Sequence, residues 1–213
     1  MTKSIFAFTR KKLLALLFVI VALPVFGQNA AFSSSEVTWY GIDFSKAILI
    51  GPGFSNPVAI RDQFFKSWNE LIIKEYKKYD LGKFFRKRNV IFNLDPVLSR
   101  NLAVDVNKLT ALNSSEALMK DSDVKKIIGE YDFKDKEGVG VLMIVESLNN
   151  IDKAGYYYIV FFDIKTKEIL LSKKISGKAK GAGFRNYWAG SFFEAFKSCE
   201  DNMSKWQKED NWK

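Results

Sequence analysis

Apolar and polar residues alternate along this chain in two periods, near two and near 3.6, and each period names an element. From Val37 to Ile50 the β-branched and aromatic residues Val37, Trp39, Phe44, Leu49 and Ile50 predict one or two strands, stopped by Gly51, Pro52 and Gly53. Ser55 or Asn56 then caps a helix with Pro57 in its first turn, where a missing N–H costs nothing. Phe64, Phe65, Trp68, Leu71, Ile72 and Tyr76 follow at spacings of three and four, which is one helical stripe. A shorter helical turn is expected within Tyr79 to Arg88 and a strand at Val90 to Leu94. Asp95 and Pro96 interrupt that strand, and Leu102 to Val106 is expected to extend it on an edge, where proline does least harm.

After a loop at Asn113, Ser114 and Ser115, Asp121 or Ser122 caps a helix through Val124, Ile127, Ile128 and Tyr131. Val139 to Val145 and Tyr156 to Phe162 are nearly unbroken apolar runs, the mark of strands covered on both faces, and Glu168 to Ile175 follows as a further strand. A last helix places Trp188, Phe192, Phe196, Cys199, Met203 and Trp206 on one side. The expected fold class is α/β (α+β): a single mixed, largely antiparallel sheet with a C-terminal three-strand meander and helices on both faces.

The first residues change the picture of where the protein works. Arg10, Lys11 and Lys12 precede the apolar run Leu13 to Val25, and Pro24 and Gly27 close it, the pattern of a secretory signal peptide cut after Gly27 or near Ala30 or Ala31. The run is shorter than the roughly 20 residues that span a bilayer, so no transmembrane segment is expected once it is removed. The expected organisation is a signal peptide at 1–27, one α/β domain at 28–206 and a polar tail at 207–213. Cys199 is the only cysteine, which leaves none beside the cleavage site to take a lipid and none to form an internal disulfide. The expected location is therefore the periplasm or outer envelope, without a lipid anchor.

The formal charge of +9 includes the leader's Lys3, Arg10, Lys11 and Lys12, so the mature chain is only mildly basic. Such a balance points first to solubility or to anionic envelope components and only weakly to nucleic acid, and the expected partner is an envelope protein or an anionic envelope polymer, with no nucleic acid. The sequence has no histidine, which removes Ser-His-Asp and Cys-His machinery and the imidazole ligands of most zinc sites. Neither a metal site nor a cofactor is expected.

Candidate chemistry lies in four places. Gly177 to Arg185, with Lys178, Lys180, Gly181, Gly183 and Arg185, joins a strand to the last helix and suits an anion, although glycines there also simply let the chain turn. Lys74, Lys77, Lys78, Lys83, Arg86, Lys87 and Arg88 form the densest basic cluster, either a surface for anionic polymer or a solvated face. Asp43, Asp95, Glu146 and Asp163 fall near strand ends, where two carboxylates at the right separation hydrolyse glycosides. Among the tryptophans, Trp39, Trp188 and Trp206 are expected in the core and Trp212 in the polar tail, while Cys199 on its apolar stripe is expected to be an inert core thiol.

The run Val141-Leu142-Met143-Ile144-Val145, then Tyr158-Ile159-Val160-Phe161-Phe162-Asp163 and Lys165-Thr166-Lys167-Glu168-Ile169-Leu170, resembles exported domains related to the curli-secretion lipoprotein and the N-terminal domain of the Tol translocation protein. The resemblance covers Val139 to Ser176 and extends to Gly41-Ile42-Asp43-Phe44. It implies a non-enzymatic envelope protein that binds partners or assembles. The lipid-bearing cysteine of the curli group is missing and no membrane-inserting hairpins are identified in the sequence, so pore formation is not carried over. The expected function is a non-catalytic binding or assembly module of the envelope; the alternatives are a carboxylate-dependent hydrolase of envelope glycan and a small-anion receptor at Gly177 to Arg185.

Overall fold

The structure is a computed structural model that describes residues 30–113, 119–134 and 136–210. The leader expected at 1–27, Ser114, Ser115 and Trp212 lie outside the described residues. A short helix α1 (Ala30–Ser33) leads into β1 (Glu36–Asp43) and β2 (Ile48–Ile50). Asn56 caps α2 (Pro57–Ala59) by accepting from the Ala59 N–H at 3.0 Å, and a π-helical turn at Ile60–Phe64 carries the chain into α3 (Phe65–Lys74). Next come α4 (Leu81–Phe85), β3 (Asn89–Phe92), α5 (Asp95–Leu102), a 3-10 turn at Val106–Lys108, β4 (Thr110–Ala111) and α6 (Asp121–Glu130). The chain then forms β5 (Val139–Asn149), β6 (Ala154–Asp163), β7 (Ile169–Lys178) and the long helix α7 (Gly183–Asp210).

The expectation of a largely antiparallel sheet with a C-terminal meander is corrected. Of the six strand pairings, four are parallel: β1 with β3, β1 with β5, β2 with β4 and β2 with β5. The main sheet is built on these parallel strands, and β6 and β7 continue it beyond β5 with antiparallel pairings. Side-chain alternation reports which face a residue occupies and is blind to strand direction. Direction is set by the connections, and the helices between β1, β3 and β5 return the chain to the starting edge of the sheet, which makes the strands parallel.

Helices cover both faces. On one face, Trp39, Phe44, Val141, Met143 and Phe161 pack against α3, α4 and α7; on the other, Tyr40, Leu142, Ile144 and Phe162 pack against α5 and α6. The apolar stripe of α7 lies in the first layer, and Gly177 of β7 passes so close that an added Cβ would stand 2.0 Å from the Ser191 carbonyl oxygen. Leu102 ends α5 and is not an edge strand: Pro96 occupies the first turn of that helix, where its ring is tolerated.

The outer edge of β1 has an unusual partner. β3 accompanies β1 only as far as the Asn93 N–H, which donates to the Trp39 carbonyl at 3.0 Å, and β4 begins with the Leu109 carbonyl, which accepts from Leu49 at 2.8 Å. Two buried asparagines fill the gap. The Asn69 amide of α3 accepts from the Ile42 N–H at 2.7 Å and donates to the Ile42 carbonyl at 3.1 Å. The Asn101 amide of α5 accepts from the Phe44 N–H at 2.8 Å and donates to the same Ile42 carbonyl at 2.9 Å. Gly41 makes the approach possible: its φ is +116° and a Cβ there would lie 2.3 Å from Asn69 Oδ1.

Replacing Asn69 by Leu therefore strands a buried backbone N–H, and unfolding in urea should show a loss of roughly 2–4 kcal/mol. Lys66→Ala, on the exposed side of α3, should stay within about 0.5 kcal/mol. Equal losses in the two variants would refute the role given to the amide.

Candidate functional site

β1 ends at Asp43, and its position in the sheet matters. The route from β1 to β3 runs through α3 and α4 on the Trp39 face, and the route from β3 to β5 runs through α5 and α6 on the opposite face. Since β1 lies between β3 and β5, its carboxyl end is a point where the connections part to opposite faces, the place where open α/β sheets form binding crevices.

Asp43 is fully buried there. Its Oδ2 accepts from the Tyr131 hydroxyl at 2.6 Å and lies 3.4 Å from Arg100 Nε, while its Oδ1 accepts from the Ser45 N–H at 2.5 Å. The Arg100 guanidinium stands over the Tyr131 ring, 5.1 Å from its centroid, and donates from Nη2 to Glu130 at 2.7 Å. One cation thus serves a buried carboxylate and a half-exposed one, and the ring fixes its plane. Burial, reinforced by the Asp43 charge, holds the Tyr131 phenol well above its ordinary range. Burial opposes the Arg100 charge, but the Glu130 hydrogen bond and the two carboxylates outweigh it and keep the guanidinium charged. Glu130 is held below the ordinary carboxylate range by its hydrogen bond to Arg100.

Beside this group the chain leaves the sheet between β1 and β2 and opens a cavity of about 500 Å³. Its polar lining is Ser45, Lys46, Arg100, Asp105, Lys108 and Glu130. A second cavity of about 430 Å³ shares the Arg100 and Glu130 wall and reaches Tyr131 and Lys134. The Ser45 Oγ and Arg100 Nε atoms are buried and make no hydrogen bond to protein.

The residues singled out by the sequence are distributed differently. Lys178 is exposed on β7, Lys180 is 2.5 Å from Glu194, and Arg185 turns its Nη1 to Asn186 at 3.5 Å while its carbonyl accepts from Trp68 at 2.9 Å. Gly181 and Gly183, both with positive φ, meet the Pro52–Phe54 turn around a cavity of about 340 Å³ that Lys178, Lys180 and Arg185 do not line. The loop's three cations are thus not gathered on that cavity.

The basic cluster is divided among local partners. Lys74 pairs with Glu70 at 2.7 Å, Lys78 with Glu75 at 3.5 Å and Lys83 with Glu200 at 3.3 Å, while Arg86 bonds Ser204 Oγ and the Glu200 carbonyl. Lys77 and Arg88 are exposed. Lys87 is the exception: it is buried, and its ammonium donates to the carbonyls of Ala31, Phe32 and Ser34 at 2.7, 3.3 and 2.8 Å, which pins α1 to the domain. Burial pushes this ammonium down to about 8.

Of the other carboxylates, Asp95 is exposed in the first turn of α5. Glu146 is buried and accepts from the Met119 N–H at 3.0 Å and from Lys174 at 2.8 Å, and Asp163 accepts from the N–H and hydroxyl of Thr166. Trp39, Trp188, Trp206 and Cys199 are buried, and burial raises the Cys199 thiol far out of the reactive range. Among the described residues no group of three or more acidic or cysteine side chains is placed to hold a metal. Sequence reasoning named Asp43 but missed Asn69, Arg100, Asn101, Glu130 and Tyr131. The one available signal was Asn69 itself, an amide between Trp68 and Leu71 where the apolar stripe is deepest.

Tyr131→Phe removes the hydroxyl from buried Asp43 and should cost about 1–3 kcal/mol in chemical denaturation; an unchanged midpoint would contradict the arrangement. Lys87 carries a pH signature. Between about 8 and the 10.5 of an unperturbed lysine the unfolded chain holds more protons than the folded one, so the contribution of this group to stability rises with pH. The stability difference between the parent and Lys87→Met should therefore shift in favour of the parent across that interval, and a flat or falling difference would contradict it.

Compared with protein-family models, with curated proteins and with solved structures, the chain matches none of them.

Proposed function

We propose that this chain is a non-catalytic binding or assembly module that acts after export, in the periplasm or outer envelope and without a lipid anchor. The observation that carries the reading is the use made of the strand-end carboxylates. Asp43, Glu146 and Asp163 are buried and each is engaged by hydrogen-bond donors of the fold itself. Carboxylates so engaged hold structure, whereas an acid and base pair for hydrolysis needs groups free to reach a substrate. The likeness of Val139 to Ser176 to exported envelope domains supports the same reading. Among the described residues no helix is long and apolar enough to cross a membrane.

Cleavage after Gly27 fits this reading better than the later cuts. Ala30 and Ala31 are buried, and Lys87 binds the Ala31 and Phe32 carbonyls, so a cut near either alanine would take away or loosen part of the core. One observation favours the second reading, a glycan hydrolase: Asp43 and Glu130 share Arg100 beside one cavity.

Expression of the full chain followed by envelope fractionation should recover a protein beginning near Gln28 outside the cytoplasm. The purified protein should release no reducing ends from envelope glycan. Sustained release that disappears in Glu130→Gln would replace the binding module by the hydrolase.

A further inference from the structure

We propose that two copies of this chain pair through the free edge of β3, antiparallel about a two-fold axis at Ile91, so that one sheet runs through both. The inference rests on the assembly side of the reading above and names the partner as a second copy.

Among the described residues three strands end the sheet, β3, β4 and β7, and β3 is the one without protection. β4 has only two residues, Thr110 and Ala111, too short to template a partner. β7 carries Lys173, Lys174 and Lys178 along its length, with Lys173 tied to Glu209 of α7, and lysines on an edge keep other chains away. β3 has no such device. Asn89 to Phe92 holds no charge, proline or glycine, and Ile91 and Phe92 are 45% and 39% exposed.

The backbone of β3 is set for a further strand. The Asn89 and Asn93 N–H groups donate to the Ser35 and Trp39 carbonyls at 3.1 and 3.0 Å. Strand groups alternate with a period of two, so Val90 and Phe92 turn their N–H and C=O away from β1, and among the described residues nothing bonds them there. Antiparallel pairing exchanges bonds between such outward residues. Centred on Ile91, it sets Val90 of one copy against Phe92 of the other on one face, and Ile91 against Ile91 on the opposite face. Moving the register one permitted step either way would set Ile91 against Asn89 or Asn93 and lose that match.

Charge complementarity names the occupant. Arg88 before the strand and Asp95 after it are exposed, and among the described residues neither has an ion pair. The antiparallel register brings Arg88 of each copy to Leu94 and Asp95 of the other, so unlike charges close both ends of the contact. Parallel pairing would set like on like. Lys83, nearby in sequence, is already paired with Glu200.

The test is sedimentation velocity of the purified mature protein from micromolar to near-millimolar concentration, where a concentration-dependent dimer is expected. Ile91→Lys changes an exposed side chain, so it should fold with an unchanged urea midpoint, and like charges on the axis should weaken the dimer about tenfold. Arg88→Glu should also weaken it, and adding Asp95→Lys should restore it. Ile91→Cys should form a disulfide between copies, because directly opposed residues of this kind have Cα atoms about 4.5 Å apart, within the span of the bond. Asn89→Cys, which faces Asn93, should not, and buried Cys199 supplies no background. A chain that stays monomeric, a dimer that Ile91→Lys leaves unchanged, or equal cross-linking at Asn89 and Ile91 would overturn the proposal. Cross-linking of Ile91→Cys to an envelope protein in place of a second copy would overturn it too and give the edge to a foreign strand. None of those outcomes touches the module's export or non-catalytic character, which fractionation and glycan turnover decide.

Discussion

The amides of Asn69 and Asn101 are the constraint on which the rest of this molecule depends. A strand in the middle of a sheet needs a partner for every backbone group, and β1 loses its partner between β3 and β4. An unpaired buried N–H or carbonyl costs about 1–3 kcal/mol, and several stand in this stretch. The two side chains supply a few ångströms of substitute strand and carry the edge across the gap. Because each comes from a helix on a different part of the crossover, the same bonds clamp α3 and α5 to the strand. Gly41 is then obligatory, since any Cβ would occupy the place of the Asn69 oxygen.

From that clamp follows the charged group at the end of the strand. β1 is bulged between Trp39 and Gly41, so Tyr40 faces α6 while Trp39, Ile42 and Phe44 share the other layer. Asp43 therefore points with Tyr40 into the face under α5 and α6, where a lone carboxylate would be prohibitively costly. The Tyr131 hydroxyl, the Ser45 N–H and the Arg100 charge make it tolerable. Surface pairs such as Lys83 with Glu200 contribute little beside this, because exposed ion pairs are worth about 0–1 kcal/mol. Lys87 belongs with Asp43 and not with the lysines around it: it is buried, its partners are backbone carbonyls, and it fixes a segment far from it in sequence.

What the sequence disclosed and what it hid divide along the same line. Apolar periodicity located α3, α6, α7, β5 and β6, since burial of one stripe or of both faces leaves its mark in every few residues. It could not disclose that β1, β3 and β5 run parallel, because direction is a property of the connections. Asp95-Pro96 was read as the end of a strand when it opens α5, as both uses of proline look alike locally. The site was nearly invisible. Asp43 lies 88 residues from Tyr131, and a polar residue on an exposed helix face has the same local signature as Arg100 on α5. Charge clustering pointed instead to Lys74 through Arg88, where proximity in sequence outran proximity in space.

Glycines and cations that are close in sequence do not by themselves make an anion site, because the fold assigns their donors and charges first. A loop of glycines before a helix presents backbone N–H groups and nearby cations, but here the Lys180 N–H donates to the Tyr187 carbonyl at 3.1 Å and its ammonium to Glu194, so little of that capacity is left. At the β1–β2 connection the charges are balanced as well, since Arg100 serves both Asp43 and Glu130. Ser45 Oγ and Arg100 Nε lie closed off beneath the wall of the cavity, and like Trp39 Nε1, Tyr40 Oη and Ser172 Oγ they have no hydrogen-bond partner in the fold. The stretch of β1 that Asn69 and Asn101 bond, Ile42 to Phe44, runs directly into Ser45, where the chain leaves the sheet beside the cavity, so the repaired break in strand pairing and the charged group share one end of the strand.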